Sequence, residues 1–335
     1  GIYSSLWDRH HPHYGRAEYV AAYHAQFREL LTRYGDLCEI WFDGANGGDG
    51  YYGGAREKRA IDGRSYYRFP ELWAECHRLQ PGAVLFSDAG PDIRWVGNER
   101  GIAGFTNWCR QRPEGLVPGG VADLARLAHG DPDGTVWRPS ECDVSIRPGW
   151  FWHAAEKPKT GEQLFNLWLA SVGHGSSLLL NLTPDRRGLI PQADVLELAD
   201  FRRRVDGFTA RNLALGSTVS VDHPGQGDPA ALVSGDREGW WAASQPTAII
   251  QLDLPAEATI GGIRIEEAIR FGQRVEAFAV DFEYGNAWTE CARGTTIGAQ
   301  RIVRLPPAHT RRIRVRILAS QAPPVIARVA IYAAD

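Results

Sequence analysis

The feature that most constrains this chain is a change of period near residue 208. Before that point short apolar runs alternate with helical patterns. "GIYSS", "LCEIWF", "GAVLFS", "ECDVSI" and "SSLLLNL" are strand-length runs. Between and after them lie "AEYVAAYHAQFRELLTRYG", "FPELWAECHRLQ", "TGEQLFNLWLASVG" and "PQADVLELADFRRRVDGF", which read as helices. Runs that are continuously apolar, rather than alternating, predict parallel strands buried on both faces. The polar, Trp-rich and Gly-rich segments follow the strands and not the helices. A (β/α)8 barrel has that asymmetry, because its site is built from loops at the C-terminal ends of its strands. About five such strands are fewer than eight, so the expectation is an incomplete (β/α)8-type barrel over residues 1–207 whose first strands precede Gly1.

Beyond residue 208 the pattern becomes short alternating segments broken by Gly and Pro. "AIIQLDLP", "GGIRIEEAI", "VEAFAVDFEYG", "QRIVRLPP", "RRIRVRILAS" and "VIARVAIYA" are examples. They predict an antiparallel β-sandwich of about eight strands over residues 208–335.

Bulk properties exclude several functions. A net charge of −3 leaves no basic footprint for nucleic acid. No apolar run approaches the ~20 residues of a membrane-spanning helix. The five cysteines (Cys38, Cys76, Cys109, Cys142, Cys291) are an odd number without CxxC spacing, which argues against a disulfide framework or a zinc site. Cys38 and Cys142 sit in apolar surroundings and read as small core residues. The chain has no methionine and opens inside a strand-like stretch, so its natural start is expected upstream.

The chemistry is expected at the strand ends. "EIWFDGANGG" runs an apolar strand into Asp43 and then glycines, which places a carboxylate at a C-terminal strand end; an Asp that merely caps a turn is the alternative. The next strand leads into "DAGPDIRWVGNERG", which brings Asp88, Asp92, Arg94, Trp95 and Glu99 to the same rim. Glycoside hydrolysis needs two carboxyl groups across the scissile bond, and Asp43 with Glu99 or Glu141 would supply them. Twelve tryptophans in 335 residues is a high count. Trp7, Trp41, Trp95, Trp108, Trp137, Trp150 and Trp152 fall in or beside the rim segments, where their faces suit sugar C–H surfaces. Arg94 and Arg147 are expected to orient a ligand through planar forks. "DRHHPH", Asp8 to His13, reads as a hydrogen-bonding loop beside the pocket and not as a metal site, since no second ligand set follows it. No GxSxG elbow, P-loop or GxGxxG after a strand is present. No cofactor is expected.

"YSSLWDRHHPHYG", "EIWFDGANG", "DIRWVGNERG", "ECDVSIRPGWFWH" and "LLLNLTPDRRGLIP" together resemble the α-L-fucosidases of glycoside hydrolase family 29, over nearly all of residues 1–206. The "DIRWVGNE" and "SIRPGWFWH" forms resemble the subgroup acting on branched α-1,3/1,4-linked fucose. The resemblance implies a retaining exo-α-L-fucosidase acting on fucosylated oligosaccharides or glycoconjugates. It implies Asp43 as nucleophile, Glu99 as acid/base, and Glu141 in substrate contact. Trp7, Asp8, Trp41, Arg94, Trp95, Arg147 and Trp150 are expected to line the sugar site. The family's fucose pocket also uses histidines and a tryptophan of the earliest barrel strands, which have no counterpart here. Residues from Asn212 onward resemble discoidin-like jelly rolls, which often bind carbohydrate, and export from the cell is the expectation for such a protein. Two other readings remain in view: a non-catalytic carbohydrate binder working through the sandwich, and a metal-dependent hydrolase using His10, His11 and His13.

Overall fold

A computed structural model describes residues 1–6, 8, 10–43, 50–52, 56–59, 61–117, 120, 122–236 and 238–334, the side chains of 50–52 excepted. It divides into two compact units, Gly1–Gly97 with Arg110–Ser140, and Asn98–Cys109 with Glu141–Asp335.

In the first unit four parallel strands follow one another in order: β1 (Ile2–Ser4), β2 (Glu39–Phe42), β3 (Val84–Ser87) and β4 (Ile93–Trp95). Helix α1 (Ala17–Arg33) connects β1 to β2, and α2 (Phe69–Leu79) precedes β3. Register explains the sidedness. Ile2 pairs with Ile40 and Ile40 with Leu85, while Tyr3 pairs with Trp41 and Trp41 with Phe86. Ile40, Phe42 and Leu85 share a core with Tyr19, Tyr23, Phe27 and Leu31 of α1 and Leu72 and Cys76 of α2. The four α1 residues fall at i, i+4, i+8 and i+12, one stripe of a helix. Each such burial stabilises by about 1.5–3 kcal/mol. Strand period two then sends Tyr3, Trp41 and Phe86 to the other face.

Strand β4 lies in a stretch expected to be loop. It runs parallel to β3 after only the turn 88–92. Parallel neighbours normally need a crossover of a dozen residues or more, so no pattern signalled it. Cys38 is a second correction. It is exposed, since it precedes β2 and only its carbonyl is used, accepting from Val84 N at 3.0 Å. Cys142 is buried as expected.

From Glu141 onward the second unit carries a further parallel pair, β5 (Ser140–Ser145) and β6 (Ser177–Asn181), in register from Glu141↔Ser177 to Ser145↔Asn181. Helix α3 (Gly161–Ser171) begins with a capping box from Thr160 and Gln163, and α4 (Gln192–Thr209) closes the α/β part. The strands that follow are antiparallel: β7 (Thr218–Val221), β8 (Ala248–Glu267), β9 (Val275–Tyr284), β10 (Ala287–Gly294), β11 (Arg301–Ser320) and β12 (Val325–Ala333). Their order is β12-β8-β11-β9-β10, with β7 on the first half of β8. The expected barrel-type part and antiparallel sandwich are both present. "AIIQLDLP" with "GGIRIEEAI", and "QRIVRLPP" with "RRIRVRILAS", are however single 20-residue strands and not pairs of short ones. Pro255, Pro306 and Pro307 fall where the β8–β11 ladder is interrupted, where a missing N–H costs least.

The change of texture at 208 falls inside the second unit. Phe165 and Trp168 of α3 and Phe201, Val205 and Phe208 of α4 pack against Ile302, Ala330 and Tyr332 of the sandwich.

Candidate active site

Asp43 follows β2 directly. Its main-chain N–H donates to Ser4 O at 3.0 Å, and the Tyr3 hydroxyl donates to its Oδ2. Both contacts follow from register: Tyr3 lies opposite Trp41, two residues before Asp43 on the same face. The rings of that face form a stack. Tyr3 lies 5.2 Å from Trp41, and Trp41 lies 4.2 Å from Phe86 with 9° between planes. Asp43 thus projects just past an aromatic shelf, its carboxylate oriented by a phenol. The glycine-rich residues after it, 44–49, lie outside the described residues, as does Trp7.

Asp88 completes this group. It stands two residues past Phe86 as Asp43 stands two past Trp41, so neighbouring parallel strands bring the two acids to equivalent positions. Burial, with the Asp43 charge adding to it, pushes the Asp88 carboxyl up to about 6 against two main-chain hydrogen bonds that oppose the shift. A perturbed acid beside a second acid is what functional sites produce. The sequence put Asp88 on the rim without a part to play; the missing signal was register. Its neighbour Asp92 is structural, accepting from His77 Nε2 and from Leu85 N, both at 2.8 Å.

Arg94 corrects an expectation. It is fully buried; its Nε donates to Leu127 O at 3.0 Å and its Nη1 to Arg138 O. The fork therefore ties β4 to the segment 127–138 and is not presented to a ligand. Trp95, the next residue, is half-buried and faces the opposite way. Asp8 is exposed and caps its own turn, its Oδ1 accepting from His10 N and His11 N at 3.1 and 3.0 Å. Nearby, His11 packs edge-on against Tyr19. No cluster of metal-ligating side chains occurs among the described residues.

In the second unit Glu99 is exposed on the turn 98–102, which the Asn98 side chain closes by donating to Ile102 O at 2.9 Å. Gly101 carries a φ of +72°, and a Cβ there would lie 2.8 Å from Val144 Cγ1, so glycine lets the turn lie flat on β5. Trp150 Nε1 donates to Glu99 Oε2 at 3.2 Å. Asn181, at the end of β6, donates to Trp150 O at 3.2 Å and to Ser145 Oγ at 3.0 Å. Glu99 thus has an indole donor that is itself fixed from two strand ends. Glu141 is buried within β5 and accepts from Ser177 Oγ at 3.0 Å.

Arg147 is a further correction. Its Nε and Nη2 meet Asp194 Oδ2 and Oδ1 at 3.0 and 2.6 Å, and its Nη1 donates to Glu156 O at 2.5 Å. Both partners of the ion pair are buried, so this fork holds α4 and not a ligand.

Parallel β/α strands ending in carboxylates beside aromatic rings, continued by an antiparallel sandwich, define a protein of barrel-and-sandwich class. Residues 1–203 match the alpha-L-fucosidase family model, and residues 216–330 match the F5/8 type C domain model. The chain is 37% identical to putative alpha-L-fucosidase 1 of Oryza sativa subsp. japonica and 35% identical to alpha-L-fucosidase 1 of Arabidopsis thaliana, in each case over 99% of this chain. It spans 63% and 65% of those two proteins, less than two thirds of their length. Among solved structures, a Ruminococcus gnavus family 29 fucosidase in complex with fucose superposes on the whole chain and on 72% of its own, with a TM-score of 0.85 at 28% identity. The chain belongs to the alpha-L-fucosidase family.

Proposed function

We propose that the protein containing this chain is a retaining exo-α-L-fucosidase that releases terminal α-L-fucose from oligosaccharides or glycoconjugates, with α-1,3/1,4-linked fucose as its preferred substrate. The observation that carries this is the family match over 1–203 together with Asp43, a carboxylate held by Tyr3 at the end of a parallel strand. In this reading Asp43 attacks the anomeric carbon as the glycosidic C–O bond breaks, and Glu99 gives its proton to the departing oxygen. Water then loses a proton to Glu99, its oxygen bonds to the same carbon, and the bond to Asp43 breaks. Trp95 and Trp150 offer ring faces to the sugar, and Trp41, stacked between Tyr3 and Phe86, offers an edge. Glu141, buried inside β5, contributes a hydrogen-bond acceptor.

The full-length protein tests this with an activated aryl α-L-fucoside and a fucosylated oligosaccharide. Asp43→Gly is expected to abolish turnover of both. Glu99→Ala is expected to lower kcat/KM on the oligosaccharide by about 10²–10⁴-fold while sparing kcat/KM on the aryl substrate, whose leaving group needs little protonation, and to lower kcat on both because the water step loses its base. Equal losses of kcat/KM on the two substrates would remove Glu99 as the acid, and inversion at the anomeric carbon would remove the nucleophile.

A further inference from the structure

Segment 98–109 begins with the Glu99 turn, and its far end is bonded by side chains of the sandwich, with Asn107 Nδ2 also donating to His174 O at 3.0 Å. Gln273, in the turn before β9, makes a reciprocal pair: its Oε1 accepts from Cys109 N at 2.7 Å and its Nε2 donates to Asn107 O at 2.9 Å. Asn107 N donates to Thr296 Oγ1 at 2.9 Å. Phe105 O accepts from Arg301 Nη1 at 2.7 Å and from Thr295 Oγ1 at 2.9 Å, and the Arg301 guanidinium lies 4.4 Å from the Phe105 ring centroid. Gln273 and Thr296 are buried and their three bonds are shielded from water, whereas the two bonds at Phe105 O lie nearer the surface. A buried main-chain group that loses its partner carries the full cost of desolvation, which makes the bonded geometry close to obligatory.

The holder is itself held. Glu267, at the end of β8, is buried, and its carboxyl oxygens accept from Arg274 N at 2.7 Å, Val275 N at 3.0 Å and Gly298 N at 2.8 Å. Both turns that supply Gln273, Thr295 and Thr296 are therefore fastened to one side chain. Nearer Glu99 the segment is bonded by the α/β part, with Gly101 N to Asp143 O at 3.1 Å and Ala103 N to Ala170 O at 3.0 Å. The turn carrying the carboxyl is thus anchored on one side by β5 and α3 and on the other by sandwich side chains.

We propose that the sandwich is a working part of the acid/base apparatus, with Gln273 and Arg301 as positioning residues that hold 105–109 and thereby fix Glu99 relative to Trp150. This rests on the reading of Glu99 as the acid/base. The geometry ties a sugar-processing step to side chains 174 and 202 positions away in sequence, in a domain that would otherwise count as an appendage. Loss of the Gln273 pair frees two main-chain groups and lets the acid wander, and small misplacements of a catalytic group are costly.

The test uses the full-length protein, an activated aryl fucoside and a fucosylated oligosaccharide, with amide hydrogen exchange read over 98–109. Gln273→Ala is expected to lower kcat/KM on the oligosaccharide about tenfold or more and on the aryl fucoside by less than about threefold. Exchange at Asn107 and Cys109 should quicken. Arg301→Lys, which keeps a donor for Phe105 O, serves where the alanine variant does not fold, and should show the same split in milder form. Ile313→Val, a sandwich-core change remote from the segment, should show no split. Equal losses on both substrates, or a split that Ile313→Val reproduces, would overturn the proposal, as would unchanged exchange at 107 and 109. A wild type inactive on both fucosides, or a Glu99→Ala variant without a split, would instead sink the functional reading. The exchange measurement would still decide whether the sandwich holds the segment.

Discussion

Removing the Arg147 fork should destabilise the second unit far more than it disturbs sugar binding. Both partners are buried, with two short contacts at 3.0 and 2.6 Å, so truncating one leaves the other as an uncompensated charge away from water. Breaking such a pair typically costs about 3–5 kcal/mol, whereas replacing both partners by apolar residues of similar volume is often neutral or stabilising. For a unit of this size 1 kcal/mol corresponds to about 2–4 °C in Tm, so Arg147→Ala and Asp194→Ala should each lower it by about 6–20 °C. The paired replacement Arg147→Met with Asp194→Leu should recover most of that loss. The assay is denaturant and thermal unfolding of the four proteins, with kcat/KM on an aryl fucoside measured well below the lowest midpoint. If Arg147 served the substrate, the paired variant would regain stability yet keep a KM raised tenfold or more. A single variant with an unchanged midpoint and a raised KM would refute the structural assignment outright.

Asp88→Asn should reveal a pH-linked term. The folded carboxyl titrates at about 6 against an ordinary 3.8, so relative to Asn the aspartate contributes stability that is full below pH 4 and is lost as pH rises through 6, by roughly 3 kcal/mol at most; unfolding midpoints of the two proteins across pH 4–7 check this, and parallel curves would contradict it. Trp150→Phe keeps a ring but removes the donor to Glu99, so kcat/KM on an oligosaccharide should fall about 3–10-fold while the aryl fucoside changes little.

The place of Asp43 at a strand end was legible because its signal is local: an apolar run, a carboxylate, then glycines. The helices were equally legible, since α1 carries its buried residues on one stripe that can be counted without a partner. What stayed hidden depends on register and on long-range partners. Nothing in "GIYSS" states that Tyr3 stands opposite Trp41, so neither the phenol on Asp43 nor the pairing of Asp43 with Asp88 was visible. Arg94 and Arg147 were placed on the rim by type and position, and planarity suits a guanidinium to carbonyls or a buried carboxylate as well as to a ligand. Which of these it meets is set by Leu127, Arg138 and Asp194, far away in sequence. Packing across residue 208 was hidden for a related reason. A change from helical to alternating period marks where the secondary structure changes, not where packing stops. Phe208 closes a cluster with Ile302 and Tyr332, and Asn107 finds its partners at Thr296 and Gln273. A sandwich that satisfies the main chain of the Glu99 segment is part of the structure that segment needs, which is why sequence texture alone makes it look separable.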